Sequence, residues 1–150
     1  MIVGIDPSEV GINIARNNSP EIIFHNISIY DFEQKELYGK FDIITSIEVI
    51  EHLNYVSVFL KQVKKYLRPD GYFLLTTPYH GYIKNLVLSV FNLWDRHFSV
   101  RNEVGHLRFF SVKSLSGMLK DAGLSNIKLY FSGRCLYLWK SMICLCQNKA

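Results

Sequence analysis

No Gly-x-Gly-x-Gly run occurs anywhere in these 150 residues, so the sequence carries no glycine-rich loop for a phosphate or cofactor. Cysteine is scarce. Cys135, Cys144 and Cys146 are odd in number and include no Cys-x-x-Cys pair, which excludes a paired disulfide framework and fits free thiols in a core or edge strand in a reducing compartment. Long apolar runs are missing too. The longest, Leu86 to Trp94, is broken by Ser89 and Asn92 and is too short to span a bilayer. The start shows neither a basic n-region nor a long apolar h-region, so no signal peptide is expected and the location reads as cytoplasmic. A dense basic cluster is also lacking. The formal charge is +4, but Lys61, Lys64, Lys65, Arg68, Arg96, Arg101 and Arg108 are scattered, which argues against nucleic acid as a partner. Repeats, linkers and low-complexity segments are absent.

What is present suffices for a core. Hydrophobic residues make up 49% and aromatic residues 14%, and the length suits one domain over residues 1–150. The patterning predicts alternating strands and helices. Strands are expected at Ile2–Asp6, Ile22–Ser28, Phe41–Ser46, Tyr72–Thr77, Ile127–Phe131 and, more weakly patterned, Leu136–Cys146. Ser8 is placed to cap a helix towards Asn17, with Val10, Ile14 and Ala15 on one face. Residues 31–40 read as irregular or as one helical turn. Tyr55–Leu67 is an amphipathic helix with Val56, Phe59, Leu60, Val63 and Leu67 on one face, ended by the turn residues Arg68-Pro69-Asp70-Gly71. Residues 81–99 are aromatic, apolar and compatible with helix. Ser111 caps a helix that stops at Gly123. Such alternation predicts an α/β fold with a mostly parallel sheet and helices on both faces. Only Ser132-Gly133-Arg134 separates the last two strands, a spacing that permits a hairpin and so an antiparallel C-terminal strand.

One acid stands out. Asp6 follows Val3-Gly4-Ile5 and precedes a helix start, the position from which nucleotide-binding α/β folds grip a ribose. Gly4 brings no side chain to crowd a cofactor there. The competing reading is that Asp6 only caps the next helix. Glu48, Glu51 and His52 form a second constellation. If a helical turn begins there, their spacing puts all three on one face, where two carboxylates and an imidazole suit a hard or borderline divalent ion. Alternatively the acids favour a helix start and His52 packs locally.

Four segments together resemble class I S-adenosylmethionine-dependent methyltransferases. They are Val3–Ser8, Phe41–Leu53, Leu67–Gly71, and Ala122-Gly123-Leu124 before the terminal strand pair. The Glu-x-x-Glu-His run and Thr77-Pro78 are most similar to the ubiquinone-biosynthesis O-methyltransferase branch. The resemblance implies a Rossmann-like sheet whose first strand, glycine-rich loop and first helix are missing here, leaving a gap between the Ile2 and Phe41 strands. It implies that Gly4 and Asp6 hold the ribose, that Ser28 and Ile29 meet the adenine, and that the backbone of Ser46 and Ile47 faces the methionine part. It also implies Mg2+ on Glu48, Glu51, His52 and His106, as in related ubiquinone and small-RNA methyltransferases. Tyr79, His80 and Tyr82 would line the acceptor pocket, with His52 and His80 as candidate bases; a packed surface His80 is the other reading.

The activity implied is methyl transfer from S-adenosylmethionine to an oxygen of a small, partly apolar acceptor, quinone- or phenol-like. Residues 83–98 read as a lid, as a peripheral membrane contact, or as plain core. Two alternatives stay open: RNA 2′-O-methylation, supported by the acid–acid–His run, and a non-catalytic remnant or scaffold whose exposed edges favour a homodimer.

Overall fold

The computed structural model describes residues 1–97 and 105–149. The chain divides into two compact units, residues 1–37 and residues 38–150.

In the first unit, β1 (Val3–Asp6) and β2 (Ile23–Asn26) pair in parallel, joined by helix α1 (Glu9–Asn18). Ser8 caps α1 as expected, its hydroxyl accepting from the Gly11 amide. The expected apolar face differs. Ile12 is buried, whereas Val10 and Ile14 are 71% and 56% exposed, because a two-stranded sheet covers only a narrow strip of a helix. Gly4 stands opposite Phe24, and a Cβ there would lie 2.6 Å from the phenyl ring. A 3-10 turn at Lys35–Leu37 is the single turn expected between 31 and 40.

The second unit holds a four-stranded sheet in the order β3-β4-β6-β5, formed by β3 (Phe41–Ile47), β4 (Leu67–Pro78), β5 (Ser125–Ser132) and β6 (Ser141–Gln147). β3 and β4 are parallel, and β6 runs antiparallel between β4 and β5. The strands therefore form two sheets rather than one. β4 starts earlier than predicted, at Leu67, but the turn chemistry survives inside it. Leu67 pairs with Phe41 and Tyr72 with Ile43, so the intervening Arg68-Pro69-Asp70-Gly71 loops out, with Asp70 at φ 61°. β6 starts later than predicted. Residues 133–140 are a loop containing Arg134 and Tyr137 at positive φ, closed by the Lys140 amide donating to Ser132.

Helix α2 (Val56–Tyr66) buries Val56, Phe59, Leu60, Val63 and Tyr66, with Phe59 edge-on to Phe73 of β4. Each such side chain contributes about 1.5–3 kcal/mol as an upper bound. Met142, Cys144 and Cys146 alternate into the same core, as period-2 patterning requires. Cys135 departs from the expected core placement and is exposed in the 133–140 loop. Helices α3 (Tyr82–Val90), α4 (Trp94–His97) and α5 (Val112–Asp121) complete the unit. Phe98, the last aromatic residue of the expected lid or interfacial segment, lies outside the described residues.

Candidate active site

The ribose and adenine candidates belong to the first unit. Asp6 ends β1, exposed, and its Oδ1 accepts from the Ser8 amide at 2.7 Å. One carboxylate oxygen thus braces the helix start, and Oδ2 has no partner among the described residues. Both readings of Asp6 are therefore compatible with a single side chain. Ser28 turns the chain after β2: its carbonyl accepts from Asp31 and Phe32, and its hydroxyl accepts from the Tyr30 amide. Ile29 follows it in the turn.

The remaining candidates belong to the second unit, at or beyond the carboxyl ends of β3 and β4 and on residues 105–110. Ser46 is buried with its hydroxyl unpartnered, and Ile47 is 56% exposed. Glu48 then takes φ 51°, an uncommon conformation for a residue with a Cβ and one that recurs at functional sites. Its amide donates to Thr76, and its carboxylate accepts from the Thr76 hydroxyl at 2.9 Å. The helical face expected for Glu48, Glu51 and His52 does not form. Glu48 precedes the turn in a left-handed conformation, and Glu51 and His52 stand on a 3-10 turn, Ile50–His52.

The structure nevertheless brings three of the four metal candidates together. Ligand atoms of Glu51, His52 and His106 lie within 4.8 Å of one another. Glu51 is wholly buried. Its Oε2 accepts from the Thr77 hydroxyl at 3.1 Å, and its Oε1 has no hydrogen-bond partner among the described residues. Burial holds the carboxyl above its ordinary pKa, and nearby Glu48 adds to this. His106 Nε2 stands 4.0 Å from that Oε1, and burial depresses its imidazole. His52 Nδ1 reaches the Gly105 carbonyl at 3.3 Å, which favours the tautomer leaving Nε2 with its lone pair.

Residues 105–110 are anchored at both ends to hold this geometry. The Glu51 carbonyl accepts from the Leu107 and Arg108 amides, and the Arg108 guanidinium donates to the Leu53 and Asn54 carbonyls. The His80 amide donates to the Phe110 carbonyl. An orphaned buried carboxylate oxygen facing two imidazoles is a donor set that fits a divalent cation.

His80 lies beside this segment, 3% exposed, its ring 4.3 Å from that of Phe109 and 5.3 Å from that of His97. Nδ1 lies 3.4 Å from Asn85 Oδ1, and Nε2 is unpartnered among the described residues. Burial, with Lys84 second, lowers its pKa to about 4, so the ring is neutral near pH 7. Sequence reasoning missed Lys84. Its side chain is 4% exposed, and Nζ donates to the Tyr79 carbonyl at 2.6 Å. Burial, then Arg134, lowers its pKa to about 8. The available signal was a lysine in the first turn of a helix whose cap position is glycine.

Among solved structures, 1,6-didemethyltoxoflavin-N1-methyltransferase of Burkholderia thailandensis, with its acceptor and S-adenosylhomocysteine bound, is 13% identical, with TM-score 0.70 over 99% of this chain and 61% of that one. The [4+2]-cyclase SpnF is also 13% identical, with TM-score 0.75 over 99% and 66%. Both show the fold alone: a Rossmann-like α/β methyltransferase fold, which one of the two uses for a different reaction. Curated relatives include the ubiquinone biosynthesis O-methyltransferase of Rhodopseudomonas palustris (strain TIE-1), 30% identical over 51% of this chain and 30% of that protein. That of Hydrogenovibrio crunogenus is 27% identical over 82% of this chain and 52% of that protein. The matches thus span about a third to a half of the curated relatives' length. The methyltransferase domain family matches residues 1–129, and the chain belongs to that family.

Proposed function

We propose that this chain transfers a methyl group from S-adenosylmethionine to an oxygen of a small, partly apolar acceptor, quinone- or phenol-like, next to a divalent cation. Within a family of methyltransferases, the observation that carries this reading is the unpartnered Glu51 Oε1, buried and facing His106. When bound, S-adenosylmethionine supplies a methyl carbon already electrophilic through its sulfonium. A cation such as Mg2+ on Glu51, His52 and His106, with Glu48 nearby, would orient the acceptor hydroxyl and make it more acidic.

The chain's own residues align and exclude water. In the first unit Asp6 Oδ2 is free to accept from ribose hydroxyls, and Ser28 and Ile29 are the candidates for the adenine. In the second unit the Ser46–Ile47 backbone is the candidate for the methionine part. His80, neutral and buried, offers Nε2 to the acceptor's hydroxyl proton, and His52 is the alternative base where no cation occupies its Nε2. Alignment of nucleophile, carbon and leaving sulfur is the main source of rate. Tyr82, Ile83, Leu86, Val90 and Phe91 of and just beyond α3 are exposed, which supports a peripheral contact with a membrane holding an apolar acceptor. β3 is an edge strand with Ile43 and Ile47 exposed, which supports self-association.

Binding of labelled S-adenosylmethionine tests the first half: binding by the intact chain and its loss in Asp6→Ala are expected, and no binding by the intact chain sinks the activity. Calorimetry with Mn2+ tests the second: saturable binding, abolished in Glu51→Ala, is expected. RNA affinity that falls steeply with salt would favour the RNA 2′-O-methylation reading instead.

A further inference from the structure

The N-terminus of α3 lacks the side-chain cap that α1 and α5 both carry. Its cap is Gly81, with no side-chain cap bond and no acid in the first turn. Its third residue is Lys84, a cation at the positive end of the helix dipole. Two buried groups sharpen the anomaly. Lys84 is 4% exposed, and its ammonium has one acceptor, the Tyr79 carbonyl, and no carboxylate partner among the described residues. The charged groups that act on it and on its neighbours His80 and His97 are of its own sign. An ammonium has three donors, and a buried one without a counter-charge is costly. His80, just before the cap, is 3% exposed with Nε2 unpartnered. The Tyr79 hydroxyl lies against Gly81, where any Cβ would collide with it. The Lys84 ammonium and the Tyr79 hydroxyl both belong to the start of α3, whose first-turn amides have no intrahelical partner, and each of these groups can donate to an oxyanion.

We propose that the start of α3, with Lys84 and Tyr79, binds an anionic group, a carboxylate or a phosphate, carried by the methyl acceptor, so that the acceptor is an acid as well as an alcohol or phenol. This rests on the methyl-transfer reading and names its substrate class. His80 Nε2 would meet the acceptor's hydroxyl while Lys84 holds its charged end, which fixes the molecule at two points.

The test compares three probes of similar size on the intact chain at low ionic strength by calorimetry: benzoate, phenyl phosphate and benzyl alcohol. At least one of the two anions is expected to bind ten-fold or more tightly than the alcohol, and which one does identifies the group. Lys84→Met is expected to erase the preference and Lys84→Arg to keep much of it. Because the wild-type preference needs no variant, a poorly folded Lys84→Met does not blunt the test. Equal binding of the three probes, no saturable binding of either anion, or an unchanged preference in a folded Lys84→Met overturns the proposal. Displacement of the anion by S-adenosylhomocysteine would assign the site to the cofactor's carboxylate and overturn the acceptor claim. S-adenosylmethionine binding and methyl transfer are measured separately, so their failure beside an intact anion preference sinks the methyl-transfer reading and leaves the anion site standing.

Discussion

Two helices of the second unit start in opposite ways. α5 begins with a complete capping box: the Ser111 hydroxyl accepts from the Ser114 amide, and the Ser114 hydroxyl accepts from the Ser111 amide. α3 begins at a bare glycine, with a buried lysine where an acid would help. The first start is self-sufficient and needs no ligand. The second is stabilised by what packs around it and remains open to what could bind there. The difference separates a helix serving the fold from one whose sequence departs from stability rules, which is where function is expected.

The largest effect should appear with acid, at the α3 end. The His80 pKa is lowered from 6.5 to about 4, so its contribution is fully present above pH 6.5 and is lost as pH falls through about 4. A shift of that size corresponds to about 3 kcal/mol. His97 and His106 are shifted the same way, and Glu51, raised from 4.5, works against them because its protonation relieves the cost of burial. The wild-type curve is therefore a sum, and the informative quantity is its difference from His80→Leu. Denaturant melts from pH 7 to pH 4 should show the variant losing less stability than wild type by roughly that amount. Parallel curves would mean that the ring is solvated and that no buried, unpaired Nε2 exists.

Two glycines extend the comparison. Gly81 has φ −92° and needs no special backbone, yet a Cβ there would overlap the Tyr79 hydroxyl and ring. Gly81→Ala must displace Tyr79 and should cost about 1–3 kcal/mol, the usual range for overpacking. Because Tyr79 also stands edge-on to Phe131 and Trp139, the displacement should alter tryptophan fluorescence. In Gly81→Ala/Tyr79→Phe, the lost hydroxyl should return part of the stability. At α5, Ser111→Ala removes one half of the capping box and should cost about 1 kcal/mol without any effect on anion binding.

Much of this architecture was legible because its signals are local. Ser8 and Ser111 mark helix starts through side chains that bond backbone amides three residues on, and Val56 to Tyr66 mark a buried face by spacing alone. The metal candidates were legible by residue type, and their geometry was not. Glu48 leaves the group because a left-handed residue lies between strand and turn, a conformation that glutamate does not announce. His106 joins Glu51 through hydrogen bonds spanning more than fifty residues, which no window of sequence contains. Lys84 was invisible for a related reason. Lysine reads as a solvated charge, and its burial follows from tertiary packing that brings the Tyr79 carbonyl to its ammonium.

The smallest effect runs in the stabilising direction. Gly117 lies inside α5, and a Cβ added there meets nothing within 4 Å. Glycine in a helix interior costs about 0.5–1 kcal/mol relative to alanine, through backbone entropy rather than contacts. Gly117→Ala should therefore raise the melting temperature by a few degrees. Opposite signs for Gly117→Ala and Gly81→Ala would follow from the same chemical change, one methyl group, and differ only in what surrounds it. If both substitutions stabilise, the Tyr79 hydroxyl does not rest on Gly81, and the start of α3 loses one of the donors proposed for its anion.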